Sequence, residues 1–158
     1  MAMRVGCGYD VHPFATDRPL VLGGVTIPYD RGLSGHSDAD ALIHAVVDAL
    51  LGAAALGDIG HHFPSNDERW ENASSSLFLD YTRDLLRHHG WKISNIDATI
   101  VAERPKMAPH LEPMRAHLAE HLHVQVEQVS VKATTTDGLG FAGRQEGIAC
   151  YAVALIEN

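Results

Sequence analysis

Between His36 and Gly60 the chain reads HSDADALIHAVVDALLGAAALGDIG, a polar opening followed by apolar positions at helical spacing. At about 100° per residue, Leu42, Val46, Ala49, Leu50 and Ala53 share one face, whereas Ser37, Asp40, His44 and Asp48 fall on nearly the opposite one. Ser37 and Asp38 offer oxygens to free backbone N–H groups, and Asp40 adds negative charge where a helix dipole favours it. The pattern predicts an amphipathic helix beginning at this cap, with His44 between two carboxylates on the polar stripe. A histidine on such a stripe is ordinarily solvated, so its chemistry depends on what other segments bring to it.

The remaining periodicities predict strands and two further helices. Residues 3–9, MRVGCGY, read as a first strand in which Gly6 and Gly8 permit close backbone approach. Asp10 and His12 follow; two apart in an extended segment, they point the same way, and Pro13 is expected to end the strand. PLVLGGVTIP is a hairpin signal around Gly23-Gly24. Residues 58–67 lack a period and are rich in breakers, which predicts a loop of functional length. Ser74 to Ser76 can cap a helix carrying Leu77, Tyr81 and Leu85, with Phe78, closed by Gly90. Residues 91–102 alternate, with Ile96, Ala98, Ile100 and Ala102 on one side, and run into a loop that ends in Lys106. Leu111, Met114, Leu118 and Leu122 mark a helix whose Met belongs to the core. Strands are expected from Val129 and over 148–156. Without a regular βαβ rhythm, repeat or linker, the chain reads as one α+β domain over 1–158, a mixed β-sheet with helices on one face.

Composition narrows the function classes. A chain of 158 residues, 46% hydrophobic, can bury a real core. A formal charge of −8 without a basic run argues against nucleic acid or an anionic membrane surface as partner. No membrane-length apolar run or signal-peptide pattern is present, so a soluble, cytoplasmic protein is expected. Cys7 and Cys150 both lie in strand-like sequence and read as reduced core thiols. Of the eleven histidines, His61, His62, His88, His89, His117, His121 and His123 fall in polar stretches and read as surface residues.

A phosphorylated small molecule is compatible with an acidic chain if local cations offset its field. The stretch from Ala133 to Arg144, with Thr134, Thr135, Thr136 and Asp137, could cradle oxyanions, although a Gly-rich turn between two strands needs no ligand. Asp10, His12 and His44 make a two-His, one-carboxylate set. Such a set suits catalytic zinc, with its open fourth position, and equally non-haem iron(II). Spacing alone does not force His44 across to Asp10 and His12. Read this way, the chain is a metal-assisted enzyme acting on a phosphorylated substrate.

The blocks GYDVHPF, VLGGVTIPYDRGL, GHSDADALIHAVVDALLGAAALGDIG, FPSND, ERPKMAPHL and VKATTTDGLGFAGRQEGIAC resemble, in order and spacing, the 2-C-methyl-D-erythritol 2,4-cyclodiphosphate synthase family of the non-mevalonate isoprenoid pathway. The likeness runs from Arg4 to about Ile156. It implies a lyase that converts 4-diphosphocytidyl-2-C-methyl-D-erythritol 2-phosphate to a cyclic diphosphate and CMP. It also implies a homotrimer with active sites between subunits and an apolar channel able to take an isoprenoid diphosphate. By position, Asp10, His12 and His44 match zinc ligands, and Asp137 matches the holder of a second ion, Mg²⁺ or Mn²⁺. His36 and Thr135 match residues used around the phosphates. Ser37, Asp58, Gly60, Phe63, Asp67, Phe141 and Arg144 fall with the substrate contacts, and Ala102, Lys106, Met107, Ala108, Ala133 and Thr134 match the cytidine pocket.

Three positions depart from the family pattern. Asp137 stands where Glu is common, Ser65 and Asn66 replace a frequent Asp-Thr pair, and Ala108 follows PKM where Leu is frequent. The expectation is the same chemistry with altered affinity for the second ion and substrate. Two rival readings of the same residues are a zinc-dependent phosphoester hydrolase and a non-catalytic trimeric metal- or nucleotide-binding module.

Overall fold

The computed structural model describes residues 1–158. In chain order the elements are β1 (Met3–Ala15), β2 (Leu20–Leu22), β3 (Val25–Ile27), β4 (Gly32–Leu33), α1 (Ala41–Ala53), α2 (Ile59–His62), α3 (Ser76–His88), β5 (Lys92–Val101), α4 (Leu111–Leu122), β6 (Val129–Thr134), α5 (Gly140–Gly143) and β7 (Gly147–Glu157). Five strands form one sheet in the order β4-β1-β7-β5-β6, and β2 and β3 form a separate hairpin. All pairings are antiparallel except β5 with β6, which run parallel and are joined through α4. The architecture is the expected α+β, with a single βαβ crossover that its irregular rhythm concealed.

Alternation assigns the two faces of the sheet. Ile96, Ala98 and Ile100 of β5 and Ile148, Cys150, Ala152, Ala154 and Ile156 of β7 are buried beneath the helices. On the opposite face Val5, Tyr9, Val11, Tyr151 and Val153 are exposed, and Cys7 is exposed among them. This corrects the reading of both cysteines as core thiols: neighbouring residues of a strand point to opposite faces, and Cys7 falls on the outer one between the inward Gly6 and Gly8. The outcome is an apolar sheet face that no element of this chain covers.

β1 is longer than expected, because Pro13 does not end it. Proline removes one ladder donor only; its carbonyl accepts from Ser34 N–H at 2.9 Å, and Phe14 N–H donates to the Glu146 carbonyl at 2.9 Å. The two-residue Gly23-Gly24 turn has φ of 58° and 74°, as a hairpin twisted in the sense of its strands requires.

α1 departs most from its predicted character. It starts at Ala41, capped by Asp40, whose side chain accepts from Ile43 N–H, and it is buried almost all round, leaving only Asp48 and Gly52 outside the core. A helix enclosed on all sides reads as central rather than amphipathic. Here β1 and β7 cover one side and α3 another. Asp40 is fully buried and also accepts from Gly23 and Gly24 N–H at 2.9 and 2.8 Å. It therefore ties the β2–β3 turn to the helix start, and is neither solvated nor an orienting partner of His44. Asp48 accepts from Ile59 N–H at 2.8 Å and anchors α2.

The expected loop over 58–67 includes α2, capped by Asp58, and leads into a 3-10 turn at Glu68–Trp70 capped by Asp67. α3 buries Phe78, Leu79, Thr82 and Leu86, while Leu77 and Tyr81 are exposed. A polar Thr82 in the buried stripe hid the true face from apolar counting. Met114, Leu118 and Leu122 of α4 are in the core as expected. His62, His117 and His121 are half-buried, not fully at the surface.

Candidate metal centre and its clefts

Two glycines bring α1 onto β1. A Cβ at Gly6 would lie 2.0 Å from the Ala49 carbonyl oxygen, and one at Gly8 would lie 1.9 Å from that of Ala45. Going up the strand from Gly6 to Gly8, the facing helix residues step down from Ala49 to Ala45, so the two elements run antiparallel. The inward positions next along β1 are Asp10 and His12, and the first turn of α1 lies over them. His44 thereby reaches the strand: its Nδ1 is 3.2 Å from Asp10 Oδ2, and His12 Nε2 is 2.7 Å from the same oxygen. The two imidazole nitrogens are 3.3 Å apart.

Partners behind the rings fix which nitrogens face inward. His12 Nδ1–H donates to the Ser34 carbonyl at 2.8 Å, which leaves Nε2 toward Asp10. His44 Nε2 is 2.9 Å from Ser75 Oγ and 3.2 Å from Ser37 Oγ, which leaves Nδ1 toward Asp10. Burial pushes Asp10 up, but hydrogen bonds from His12 and His44, which need those rings protonated, outweigh it and hold the carboxyl below its usual range. Burial alone would lower His12, and the Asp10 contact reverses this and raises it.

With both rings neutral, three lone-pair donors converge within 4.8 Å and Asp10 Oδ2 is buried without a donor of its own. A divalent cation removes that conflict by accepting a lone pair from each of the three. The donor set fits zinc or another transition metal of similar ligand preference.

The trio lies in the wall of a cavity of about 530 Å³ that also includes His36, Ser37, Gly60 and the aromatic side chains of Phe63, Trp70 and Phe78. Phe63 stacks on Phe78 with ring centroids 4.2 Å apart, giving one apolar wall. His36 Nε2–H donates to the Asp67 carbonyl at 2.7 Å. Asp58 and Asp67 are outside the lining: Asp58 accepts from His61 N–H, and Asp67 pairs with Arg69. Burial raises Asp48 behind α2 above the ordinary range.

A second cleft, about 400 Å³, is formed at the ends of β5 and β6 by Ala102, Lys106, Met107, Ala108, Ala133, Thr134 and Thr135 with the intervening loop. All six residues expected around cytidine line it. Thr135 is here rather than beside His36, so one chain does not bring these two expected phosphate residues together. Asp137 is in the loop beyond β6, 3.4 Å from Thr135 Oγ1. Phe141 joins Tyr9 and Tyr151 at a small hollow on the outer sheet face, and Arg144 is ion-paired with Glu146 at 2.6 Å. Neither lines the two larger clefts.

Sequence reasoning missed four contributors. Arg18 donates to the Gly35 and Ser37 carbonyls at 2.8 and 2.7 Å and braces the segment before α1. Ser34 holds His12 through its carbonyl, which no side-chain pattern reveals. Ser75 and Asp38 stand behind His44; both look like helix caps, yet Ser75 makes no side-chain cap bond.

An α+β chain with a half-buried two-His, one-carboxylate cluster in a cavity wall defines a class of scaffold with a possible metal-binding site. The more specific assignment comes from comparison. The chain belongs to the YgbB family, whose model matches residues 3–157. The 2-C-methyl-D-erythritol 2,4-cyclodiphosphate synthase of Syntrophomonas wolfei is 58% identical over 99% of both chains, and that of Azotobacter vinelandii is 60% identical over 98% of both. Among solved structures, the bifunctional IspDF from Campylobacter jejuni matches with a TM-score of 0.95 at 41% identity over 98% of this chain, which spans 42% of that longer protein. The Plasmodium falciparum IspF CDP complex matches at 0.86 and 34% identity, covering 98% of this chain and 96% of that one. The relatives are lyases of isoprenoid biosynthesis, and the chain is an enzyme of that class. No helix is long and apolar enough to cross a membrane.

Proposed function

We propose that the chain converts 4-diphosphocytidyl-2-C-methyl-D-erythritol 2-phosphate to 2-C-methyl-D-erythritol 2,4-cyclodiphosphate and CMP. An oxygen of the 2-phosphate bonds to the β-phosphorus of the same molecule, the β-phosphorus bond to the oxygen bridging to the α-phosphorus breaks, and CMP leaves with that oxygen. The observation that carries this reading is the convergence of Asp10, His12 and His44 in the wall of a cavity large enough for a diphosphate and its polyol.

Asp10, His12 and His44 would hold zinc, and Asp137 with Thr135 would hold Mg²⁺ or Mn²⁺. These ions would supply positive charge where negative charge develops on the phosphates. Such transfer depends on in-line positioning and charge stabilisation, not on a protein nucleophile. Ser37 and His36 bind phosphate oxygens beside the trio. Phe63, Trp70 and Phe78 keep water from one side of the reacting phosphorus, so ring closure competes with hydrolysis. Gly60 and the caps formed by Asp58 and Asp67 shape the rim around the methylerythritol.

The second cleft holds the cytidine, with Lys106 as its cation and Met107 and Ala102 as apolar walls. The two clefts share no lining residue within one chain. A homotrimer joins them, with the second cleft of one subunit completing the metal cavity of the next. The uncovered apolar sheet face supports this assembly, since such a surface gains by being buried against copies of itself.

Phosphorus NMR of the product formed from the substrate with Zn²⁺ and Mg²⁺ tests the reading. A cyclic diphosphate with CMP is expected. Inorganic phosphate or free nucleotide without a cyclic product would mark a phosphoester hydrolase, and binding without turnover would mark a binding module.

A further inference from the structure

Behind His44, on the side away from Asp10, is a chain of polar side chains that the proposed reaction does not use. Ser75 is fully buried, and its Oγ is 2.9 Å from His44 Nε2. On its other side Ser75 Oγ is in very close hydrogen-bond contact with Asp38 Oδ1, and Ser75 N–H donates to Asp38 Oδ2 at 3.0 Å. Asp38 Oδ1 also accepts from Asp40 N–H at 3.1 Å, so the carboxylate is held in place by two backbone donors.

The direction of this chain follows from donor counting. A carboxylate accepts only, and a serine hydroxyl has one proton to give. Ser75 therefore donates that proton to Asp38 and presents a lone pair to His44. Ser37 Oγ, 3.2 Å from the same Nε2, accepts from Ala39 N–H and lies 3.4 Å from Ser75 Oγ, to which it can give its own proton. Two oxygen lone pairs then face Nε2, which carries the imidazole proton and leaves the lone pair of Nδ1 directed at Asp10 Oδ2 and His12 Nε2. His12, by contrast, keeps its proton on Nδ1 for the Ser34 carbonyl and presents Nε2 to the same point. Ser75 is not needed as a helix cap, since its side chain bonds no N–H of α3.

We propose that Ser75, oriented by Asp38, is a positioning residue that locks His44 in the Nε2–H tautomer and so makes Nδ1 its metal-binding atom. The inference rests on the proposed zinc site, and it assigns a role to two residues outside the ligand trio. It explains why a fully buried Ser75, costly unless fully bonded, is paired with the half-buried Asp38 behind His44. Residues that fix a ligand's ring in this way typically carry about 10- to 100-fold in metal affinity.

The test uses the full chain, loaded with zinc and labelled with ¹⁵N at histidine. In the wild type, NMR should find the His44 proton on Nε2 and protected from solvent exchange, with the metal on Nδ1. Ser75→Ala should lose that protection and bind zinc about 10- to 100-fold more weakly in chelator competition. Asp38→Asn, which is no longer restricted to accepting, should weaken zinc in the same direction. Ser75→Thr, which keeps the hydroxyl, should stay nearer to wild type than Ser75→Ala does. Wild-type zinc affinity in both Ser75→Ala and Asp38→Asn would overturn the proposal while leaving the zinc site standing, and a His44 proton on Nδ1 in the zinc-loaded chain would overturn the proposal and remove His44 from the ligand trio. A wild-type chain that binds no zinc would overturn both.

Discussion

A Cβ on Gly8 would lie 1.9 Å from the carbonyl oxygen of Ala45, so strand β1 and helix α1 meet backbone to backbone at this point. That closeness lets His44, one residue before Ala45, share a site with Asp10, two residues after Gly8. The candidate metal site is a consequence of a missing side chain.

Gly8→Ala should therefore cost stability and metal together. The added methyl has only backbone to push against, so helix and strand must separate. A loss of about 3 kcal/mol or more in denaturant unfolding is expected, at or above the usual range for overpacking. Gly52→Ala is the control: its Cβ would meet nothing within 4 Å, and alanine in a helix should be neutral or stabilising by about 0.5–1 kcal/mol. Equal stability of the two variants would refute the role given to Gly8.

His44→Ala should keep the fold and lose the metal. The side chain is at the cavity wall, and the main covering of α1 comes from its apolar neighbours. Circular dichroism should be unchanged and elemental analysis should show zinc well below one per chain. Full zinc occupancy in this variant would remove His44 from the ligand set.

Asp40 should impose a pH dependence on stability. Burial, with a smaller contribution from Asp38, raises its carboxyl from 3.8 to about 6 despite three backbone donors. The folded chain thus holds this proton more tightly than the unfolded chain. The resulting stability is fully present below about pH 4 and is lost as pH rises through 6, to the extent of at most about 3 kcal/mol. Unfolding free energies measured across this range should fall more steeply with pH in the wild type than in Asp40→Asn. Parallel curves would show that Asp40 does not titrate in this window.

Val153→Asp should break the assembly. Val153 is on the outer sheet face opposite Cys7 in the ladder, with Val5, Tyr9 and Tyr151 exposed nearby. A charge there opposes burial against another copy without touching the core. Light scattering should give three chain masses for the wild type and one for the variant, and cyclisation should fall to background because each cavity then lacks the second cleft. A variant that remains trimeric would place the interface elsewhere.

The path from sequence to site is uneven in a way particular residues explain. The strand alternation of Ile96, Ala98 and Ile100, the Gly23-Gly24 turn and the Met114, Leu118, Leu122 stripe were legible because each is a local period answering to one buried face. α3 was placed correctly but rotated, because Thr82 occupies a core position that apolar counting skips. Cys7 was assigned inward although its flanking glycines already held the inward positions.

By itself, the sequence determined the residue types needed for a metal, the order of the elements, and the glycines at which a helix could approach a strand. Its family motifs added the cytidine group, all six of which line the second cleft, and a substrate group of which Ser37, Gly60 and Phe63 line the first while Asp58, Asp67, Phe141 and Arg144 do not. Tertiary structure decided the rest. It set the approach of His44 to Asp10, the ring nitrogens facing inward, the burial of Asp40 against the hairpin turn, and the Asp38–Ser75 pair behind His44. The physical reason is that periodicity records which side of an element is buried but not what is buried against it. A polar side chain such as Asp40 or Ser75 enters the core only where donors from distant segments meet it, and those meetings exist only once the chain has folded.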